Sequence, residues 1–491
     1  MTNSPISPAA SAYETFADLA SELGRQELSN GRPVVCVQGL GFVGAAMAAA
    51  VASACDRRGE PHFNVIGVDL RTPEGRAKVE SLNAGRFPLA TNDTKLVEAV
   101  RSANRRGNLL ATTDERVFSL AAVTIVNVPL DIVFEEIPTV RLDGFRAALR
   151  TLGSRMAPGS LVIVETTVPP GTCEKVVAPE LMQTLAARGL PPDALLLAHS
   201  PERVMPGDEY FNSMVNFWRT YAGHTPAAAD ACELFLSKVV NVEEFPLTRL
   251  QSTVASETAK ILENSYRATT IAFMEEWGRF AEAVGVDLFE VIAAIRRRPT
   301  HSNMRQPGFG VGGYCLTKDP LFAQIAAREL FDRADLSFPF STEAVAVNNR
   351  MPLVSLGQVQ QMLGGRLEGK TILLMGVTYR QDVGDTRHSP AELFVYEARA
   401  RGAEVICHDP LLEDWPETGL RLLDELPDLV GTDAIVFAVP HRDYAKLDFS
   451  AWLNGSRPVV LDANNVLTTA QRSTLSVMGC RVRSVGRGEI D

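Results

Sequence analysis

The sequence predicts an α/β protein: two Rossmann-like, doubly wound domains joined by a central helical connector. Three observations carry that expectation. Two short β-rich apolar runs each end in glycine, at 33–39 and at 370–376. Each is followed by strand-like and helix-like segments in alternation, the pattern of βαβ units and a parallel sheet. Between them, the stretch from Thr253 to about Arg298 has helical periodicity and no proline until Pro299.

The elements follow in order. After the first glycine, strands are expected at 65–69, 123–129 and 160–165; after the second, at 404–409, 434–440 and 458–462. Their near-continuous apolar character fits strands buried on both faces. Gly278 and Gly285 weaken the central helix, so a break is expected near Gly285. A glycine-rich loop spans 306–315, and helical sequence from 320 to 363 leads into the last domain. The expected boundaries are an N-terminal extension at 1–30, with a weak amphipathic helix over 13–28; a first α/β domain at 31–215; a central helical domain at 216–365; and a second α/β domain at 366–491.

Composition sets the outer limits. The 491 residues suggest about three domains. With 46% hydrophobic and 22% charged residues, the chain is neither mostly disordered, nor collagenous, nor a coiled coil. A net charge of −11 argues against a general nucleic-acid coat, though local arginines still suit an anionic substrate. No apolar run is long enough to span a bilayer, and residues 1–30 lack a basic segment followed by an apolar one. No membrane association and a cytoplasmic location are therefore expected. Seven cysteines without a CxxC pair point away from a disulfide scaffold or a thiolate metal site, so no metal is expected.

Gly39-Leu40-Gly41-Phe42-Val43-Gly44 is a GxGxxG between a predicted strand and a small-residue helix. The first glycine permits the tight turn, the second lets backbone approach a pyrophosphate, and the third lets helix and strand pack closely. The helix N-terminus offers free N–H groups to phosphate. Asp69 closes the next strand, 25 residues beyond Gly44. A carboxylate there accepts hydrogen bonds from an adenosine ribose and repels a 2′-phosphate, so NAD is expected as cofactor, with the nearby Arg71 counting slightly against that preference. The second α/β domain lacks the fingerprint: its first turn is Gly376-Val377-Thr378-Tyr379-Arg380.

Several further segments fall in a telling order: Leu82-Asn83-Ala84-Gly85, Thr167-Val168-Pro169-Pro170-Gly171-Thr172, Ser200-Pro201-Glu202-Arg203, Lys260-Ile261-Leu262-Glu263-Asn264, Gly310-Val311-Gly312-Gly313-Tyr314-Cys315 and Asp385-Thr386-Arg387-His388-Ser389-Pro390. Together with the fingerprint they resemble the nucleotide-sugar 6-dehydrogenases, which include UDP-glucose and UDP-N-acetylmannosamine dehydrogenases, over nearly the whole chain. The resemblance implies a four-electron oxidation of a sugar C6 alcohol to a carboxylate, with two hydrides passed to two NAD+.

The second oxidation needs the aldehyde to become tetrahedral before its hydride leaves, and a thiol can add to it to give a thiohemiacetal. By resemblance Cys315 is the nucleophile. A free thiol is only a few per cent thiolate at neutral pH, so a nearby cation should help. Lys260 and Asn264, one helical turn apart, would stabilise the developing oxyanion and contact the sugar. Glu202 would assist water attack on the thioester, Asp319 would act as acid/base or orienting group, and Thr167 would order water or the nicotinamide end. Pro129 joins Gly39, Gly41, Phe42, Val43, Gly44, Asp69 and Thr167 on the cofactor side. Arg203, Gly312 and Arg387 join Glu202, Lys260 and Asn264 on the substrate side, Arg387 as an anion-binding fork. A homodimer is implied too, with the long central helix as its packing surface.

Four departures from the family pattern bear on the substrate. They are Val128-Pro129-Leu130-Asp131, Glu275-Glu276, Tyr379-Arg380 and Arg387-His388-Ser389-Pro390. The Gly-Val-Gly-Gly-x-Cys loop and His441 resemble the N-acetylhexosamine branch, whereas Lys318-Asp319 also resembles the UDP-glucose branch. A UDP-N-acetylhexosamine, of ManNAc or GlcNAc type, is the expected substrate, with UDP-glucose the alternative. A single-step hydroxy-acid dehydrogenase would need neither Cys315 nor a second α/β domain. A catalytically silent nucleotide-sugar-binding protein would retain the fold and lose turnover.

Overall fold

The computed structural model describes residues 31–135, 137–205 and 207–488. The helix expected over 13–28 lies outside the described residues. The chain divides into two compact units, one comprising Met1–Ile261 with Phe322–Leu336 and the other Leu262–Leu321 with Ser337–Asp491.

The first unit is built on strands β1 (Val34–Gln38), β2 (Asn64–Val68), β3 (Leu109–Thr112), β4 (Ala121–Val126), a hairpin of β5 (Asp131–Val133) and β6 (Thr139–Arg141), then β7 (Leu161–Val164), β8 (Leu196–His199), β9 (Thr220–Gly223) and β10 (Thr248–Arg249). All but the hairpin form one sheet in the order β10-β9-β8-β7-β4-β1-β2-β3. Neighbours are parallel except β8 and β9. The run from β3 through β1 and β4 to β8 has the doubly wound order of a dinucleotide-binding sheet, with ligands expected beyond its C-terminal rim.

The first turn enters helix α1 (Phe42–Ser53), whose alanines are buried against the sheet core. Gly39 adopts φ +94°, and a Cβ there would meet the Asn127 carbonyl oxygen at 2.6 Å. A Cβ on Gly44 would run into the Gly39 carbonyl. The turn therefore requires glycine for conformation at one position and for close packing at the other.

Helix α2 (Thr253–Val284) starts in the first unit and continues into the second. It ends where Gly285 turns left-handed at φ +77°. Asp287 then caps α3 (Leu288–Arg296) through the Phe289 N–H. The break expected at Gly285 is present, for the reason that glycine tolerates that conformation. The helical expectation over 320–363 needs correction. A short helix at Phe322–Glu329 is separated from α4 (Pro339–Met362) by a loop in which Asp332 has positive φ. Pro339 sits at the first turn of α4, where its missing N–H costs nothing.

The second unit carries β11 (Thr371–Met375), α5 (Pro390–Ala400), β12 (Glu404–His408), the short pair β13 (Asp414–Trp415) and β14 (Leu420–Arg421), then β15 (Ala434–Phe437), β16 (Val459–Asp462) and β17 (Val482–Ser484). Its parallel sheet runs β12-β11-β15-β16-β17, the other common doubly wound order. The expected strands are all found, ending up to three residues early where the chain leaves the ladder for the rim.

Candidate active site

In the first unit, the glycine turn sits beyond β1 with Asp69 just past β2. The Asp69 carboxylate accepts the Leu40 N–H at 3.0 Å and the Leu70 N–H at 2.7 Å, and meets Lys78 Nζ at 3.2 Å. No side chain caps the α1 N-terminus, and a Cβ on Gly41 would meet nothing within 4 Å. That leaves open space at the helix N-terminus, which suits a pyrophosphate. Arg71 is exposed and donates to the Thr113 carbonyl. Pro129 is exposed beyond β4, and Thr167 is half-buried beyond β7.

Farther along the same rim, Lys260 is buried in the first turns of α2. Its ammonium donates to the Glu202 carbonyl at 2.8 Å and to Glu202 Oε1 at 3.1 Å. Glu202 Oε2 accepts the Val204 N–H at 2.5 Å. Burial works to raise the Glu202 carboxyl, but Lys260, the Val204 N–H and Arg219 outweigh it and hold it below its ordinary value. Arg203 is half-buried beside it.

Two more groups fix α2 here. Ser256 Oγ lies 2.8 Å from His199 Nδ1, and the Glu257 carboxylate accepts the Gly171 N–H at 2.6 Å and the Cys173 N–H at 2.7 Å. Burial, then Lys260, push His199 down to about 3, so the ring is neutral at physiological pH. Burial raises Glu257 to about 7 against the pull of those amides.

In the second unit, Asn264 is buried one turn beyond Lys260 on α2 and donates to Asp319 Oδ2 at 2.8 Å. Lys318 Nζ holds the other Asp319 oxygen at 2.9 Å and lies 4.4 Å from the centre of the Tyr314 ring. The Lys318 and Asp319 N–H groups both donate to the Cys315 carbonyl, closing a turn that presents the cysteine. Of the seven cysteines, Cys315 alone is exposed. Burial raises the thiols of Cys36, Cys173, Cys232 and Cys407, which disfavours their reactive thiolates.

A Cβ on Gly312 would come within 2.7 Å of the His388 carbonyl oxygen and of Tyr379 Cβ, and within 2.8 Å of Pro390. Gly312, read from the sequence as a substrate contact, thus has a packing reason of its own. Arg387 is half-exposed, with its guanidinium held by Asp385 at 2.8 Å.

Comparison with known proteins decides the family. Three family models cover most of the chain: the NAD binding domain of the UDP-glucose/GDP-mannose dehydrogenase family over residues 34–233, its central domain over 254–350 and its UDP binding domain over 373–469. The chain belongs to the UDP-glucose/GDP-mannose dehydrogenase family. It is similar to a UDP-N-acetyl-D-mannosamine dehydrogenase of Methanocaldococcus jannaschii, 29% identical over 93% of this chain and 97% of that protein. It is 30% identical to an NDP-N-acetyl-D-galactosaminuronic acid dehydrogenase of Ralstonia nicotianae, over 84% of this chain and 92% of the relative. A solved UDP-D-ManNAc dehydrogenase from Pyrococcus horikoshii superposes with a TM-score of 0.78 at 26% identity, covering 93% and 100% of the two chains.

As a member of this family the protein is an NAD-dependent oxidoreductase acting on a UDP-sugar. The glycine turn, uncapped helix and Asp69 fit that cofactor. Among the described residues no group of three or more His, Cys, Asp or Glu side chains could hold a metal ion, and no helix is long and apolar enough to cross a membrane.

The structure brings Glu202 to Lys260 and Asn264 to Asp319. Reasoning from sequence missed Lys78, His199, Glu257, Lys318 and the buried Glu165–Arg219 pair. Two signals were available: Glu257 lies three residues before Lys260 on the same helix face, and Glu165 ends a predicted strand at the ligand-binding rim.

Lys260→Met leaves the Glu202 charge buried and unpaired. Equilibrium urea unfolding near neutral pH is expected to show a loss of about 3–5 kcal/mol. Because the folded carboxyl is held low, its stabilisation is present above about pH 4.3 and is lost as pH falls through the folded value. The gap between the wild type and Lys260→Met should narrow over that acid range.

Proposed function

We propose that the protein oxidises the C6 alcohol of a UDP-N-acetylhexosamine to a carboxylate through a thioester on Cys315. The observation that carries this reading is the exposed Cys315, presented by a glycine-rich turn whose Asp319 is bonded to Asn264. Similarity to a UDP-N-acetyl-D-mannosamine dehydrogenase and to an NDP-N-acetyl-D-galactosaminuronic acid dehydrogenase supports the sugar class. The functional division we assign is NAD binding at 31–215, a central domain for dimerisation and catalysis at 216–365 and UDP-sugar binding at 366–491.

The bound dinucleotide supplies the hydride acceptor in each oxidation. In the first, C6 gives up a hydride and the hydroxyl its proton, the latter through water ordered at Thr167. The aldehyde oxygen gathers charge as the Cys315 thiolate adds to carbon, and Lys260 and Asn264 donate to it; one such donor is worth about 2.7–4 kcal/mol of barrier. Asp319 orients Asn264 and keeps Lys318 close to the cysteine turn. Loss of the second hydride from the thiohemiacetal leaves a thioester. Glu202, ionised beside Lys260, then accepts a proton from the attacking water, and the acid and the free thiol are released. Arg203 and Arg387 contact the anionic substrate. A thiol nucleophile among six other free cysteines fits a reducing compartment, and we assign the cytoplasm.

We also infer a homodimer. Leu262, Tyr266, Phe273, Trp277, Phe280 and Val284 are exposed on α2 at spacings that align them along one face. A second copy of the same helix would cover that stripe symmetrically. A Trp277→Glu/Phe280→Glu variant should sediment as a monomer where the wild type sediments as a dimer.

The test of the reaction is a panel of UDP- and GDP-sugars assayed for NADH and acid. A UDP-N-acetylhexosamine should yield two NADH per acid, and Cys315→Ala should form no acid while still binding NAD. Accumulated aldehyde with one NADH in the wild type would refute the thioester route. Preference for UDP-glucose would revise the sugar alone.

A further inference from the structure

Across the C-terminal rim of the large sheet runs a row of polar groups. Asn127 follows β4, Glu165 follows β7, and Arg219 immediately precedes β9. Because β9 is antiparallel to β8, its start lies at the rim where β7 and β8 end. The Ser200 hydroxyl donating to the Thr220 carbonyl at 3.2 Å reflects this alignment.

Glu165 and Arg219 are 1% and 2% exposed and form an ion pair at 2.9 Å. The second Glu165 oxygen accepts Asn127 Nδ2 at 3.0 Å. Asn127 is the residue whose carbonyl presses on Gly39 and whose Cβ presses on Gly44. Arg219 Nη2 is buried and meets no hydrogen-bond partner among the described residues. The row thus begins at the dinucleotide turn and ends beside the Glu202–Lys260 pair.

The charges make sense as one balanced set. Two buried carboxylates, Glu165 and Glu202, are matched by Arg219 and Lys260, with Arg203 and the neutral His199 at the margin. Arg219 favours ionised Glu202, whereas Glu202 opposes the ionisation of Glu165. A guanidinium keeps its charge at any working pH, which an amine shared with a reacting oxygen does not guarantee.

We propose that Arg219, held by a Glu165 carboxylate that Asn127 in turn fixes, is a positioning residue that keeps Glu202 ionised and in place when Lys260 turns its ammonium to the reacting oxygen. This rests on the roles given above to Glu202 and Lys260. It explains why an ion pair is built into the rim, where burying two charges costs more than an apolar pair of equal volume.

The test is the pH profile of kcat in the full-length enzyme. Arg219→Gln should move the acid limb to higher pH by about one unit, and Glu165→Gln should move it to lower pH. Arg219→Lys should leave it near the wild-type position. Opposite shifts from the two members of one ion pair cannot come from loss of stability, which would act in the same direction in both variants. If Arg219→Gln does not fold, Glu165→Gln and Arg219→Lys decide. An acid limb that stays in place in Glu165→Gln while disappearing in Glu202→Gln overturns the positioning role and leaves Glu202 in the mechanism. A limb that persists in Glu202→Gln overturns the role of Glu202 and this proposal with it.

Discussion

The burial of the Lys260 ammonium is the constraint on which the catalytic half of the first unit depends. An amine in that position is tolerable only if its charge is met, and Glu202 meets it with both its carboxylate and its carbonyl. That double grip requires the loop after β8 to fold back on itself, which Pro201 and the Val204 N–H bond enforce. It also requires α2 to hold one rotation, and Ser256 and Glu257, one turn before Lys260, set that rotation through His199 and the Gly171 turn.

The second unit solves the complementary problem of presenting one thiol and silencing others. Cys315 stands at a turn closed by its own carbonyl, with Lys318, Asp319 and Asn264 forming a bonded chain behind it. The loop leading to it is glycine-rich because neighbours leave no room for side chains: Tyr379 and the 388–390 segment lie against Gly312, and the Tyr379 ring against Gly313. Burial is the largest cause that raises the deeply buried thiols, with Glu257 adding to it at Cys173.

Much of this was legible in the sequence because it is local. A glycine ending a β-rich run, a helix broken at Gly285, and Lys260 four residues from Asn264 are all properties of short segments. What escaped was long-range. Arg219 is 54 positions from Glu165, and only sheet order makes them neighbours. Lys318 and Asp319 are neighbours in sequence, but the packing of Lys318 near the Tyr314 ring and the Asp319 bond to Asn264 are products of the fold. The loop between the 322–329 helix and α4 escaped for another reason: its residues have adequate helical propensity, and a positive-φ aspartate is invisible to periodicity.

The central claim is that the substrate carbon stays covalently held on Cys315 through the second oxidation until water releases it. Glu202→Gln, mixed with excess NAD and a UDP-N-acetylhexosamine and quenched in acid, allows the adduct to be weighed by intact-protein and peptide mass spectrometry. The account predicts an added mass equal to the substrate less four hydrogens, located on the peptide containing Cys315 and absent from Cys315→Ala. Turnover to acid by the wild type, with no such adduct under any quench time in Glu202→Gln, would contradict it.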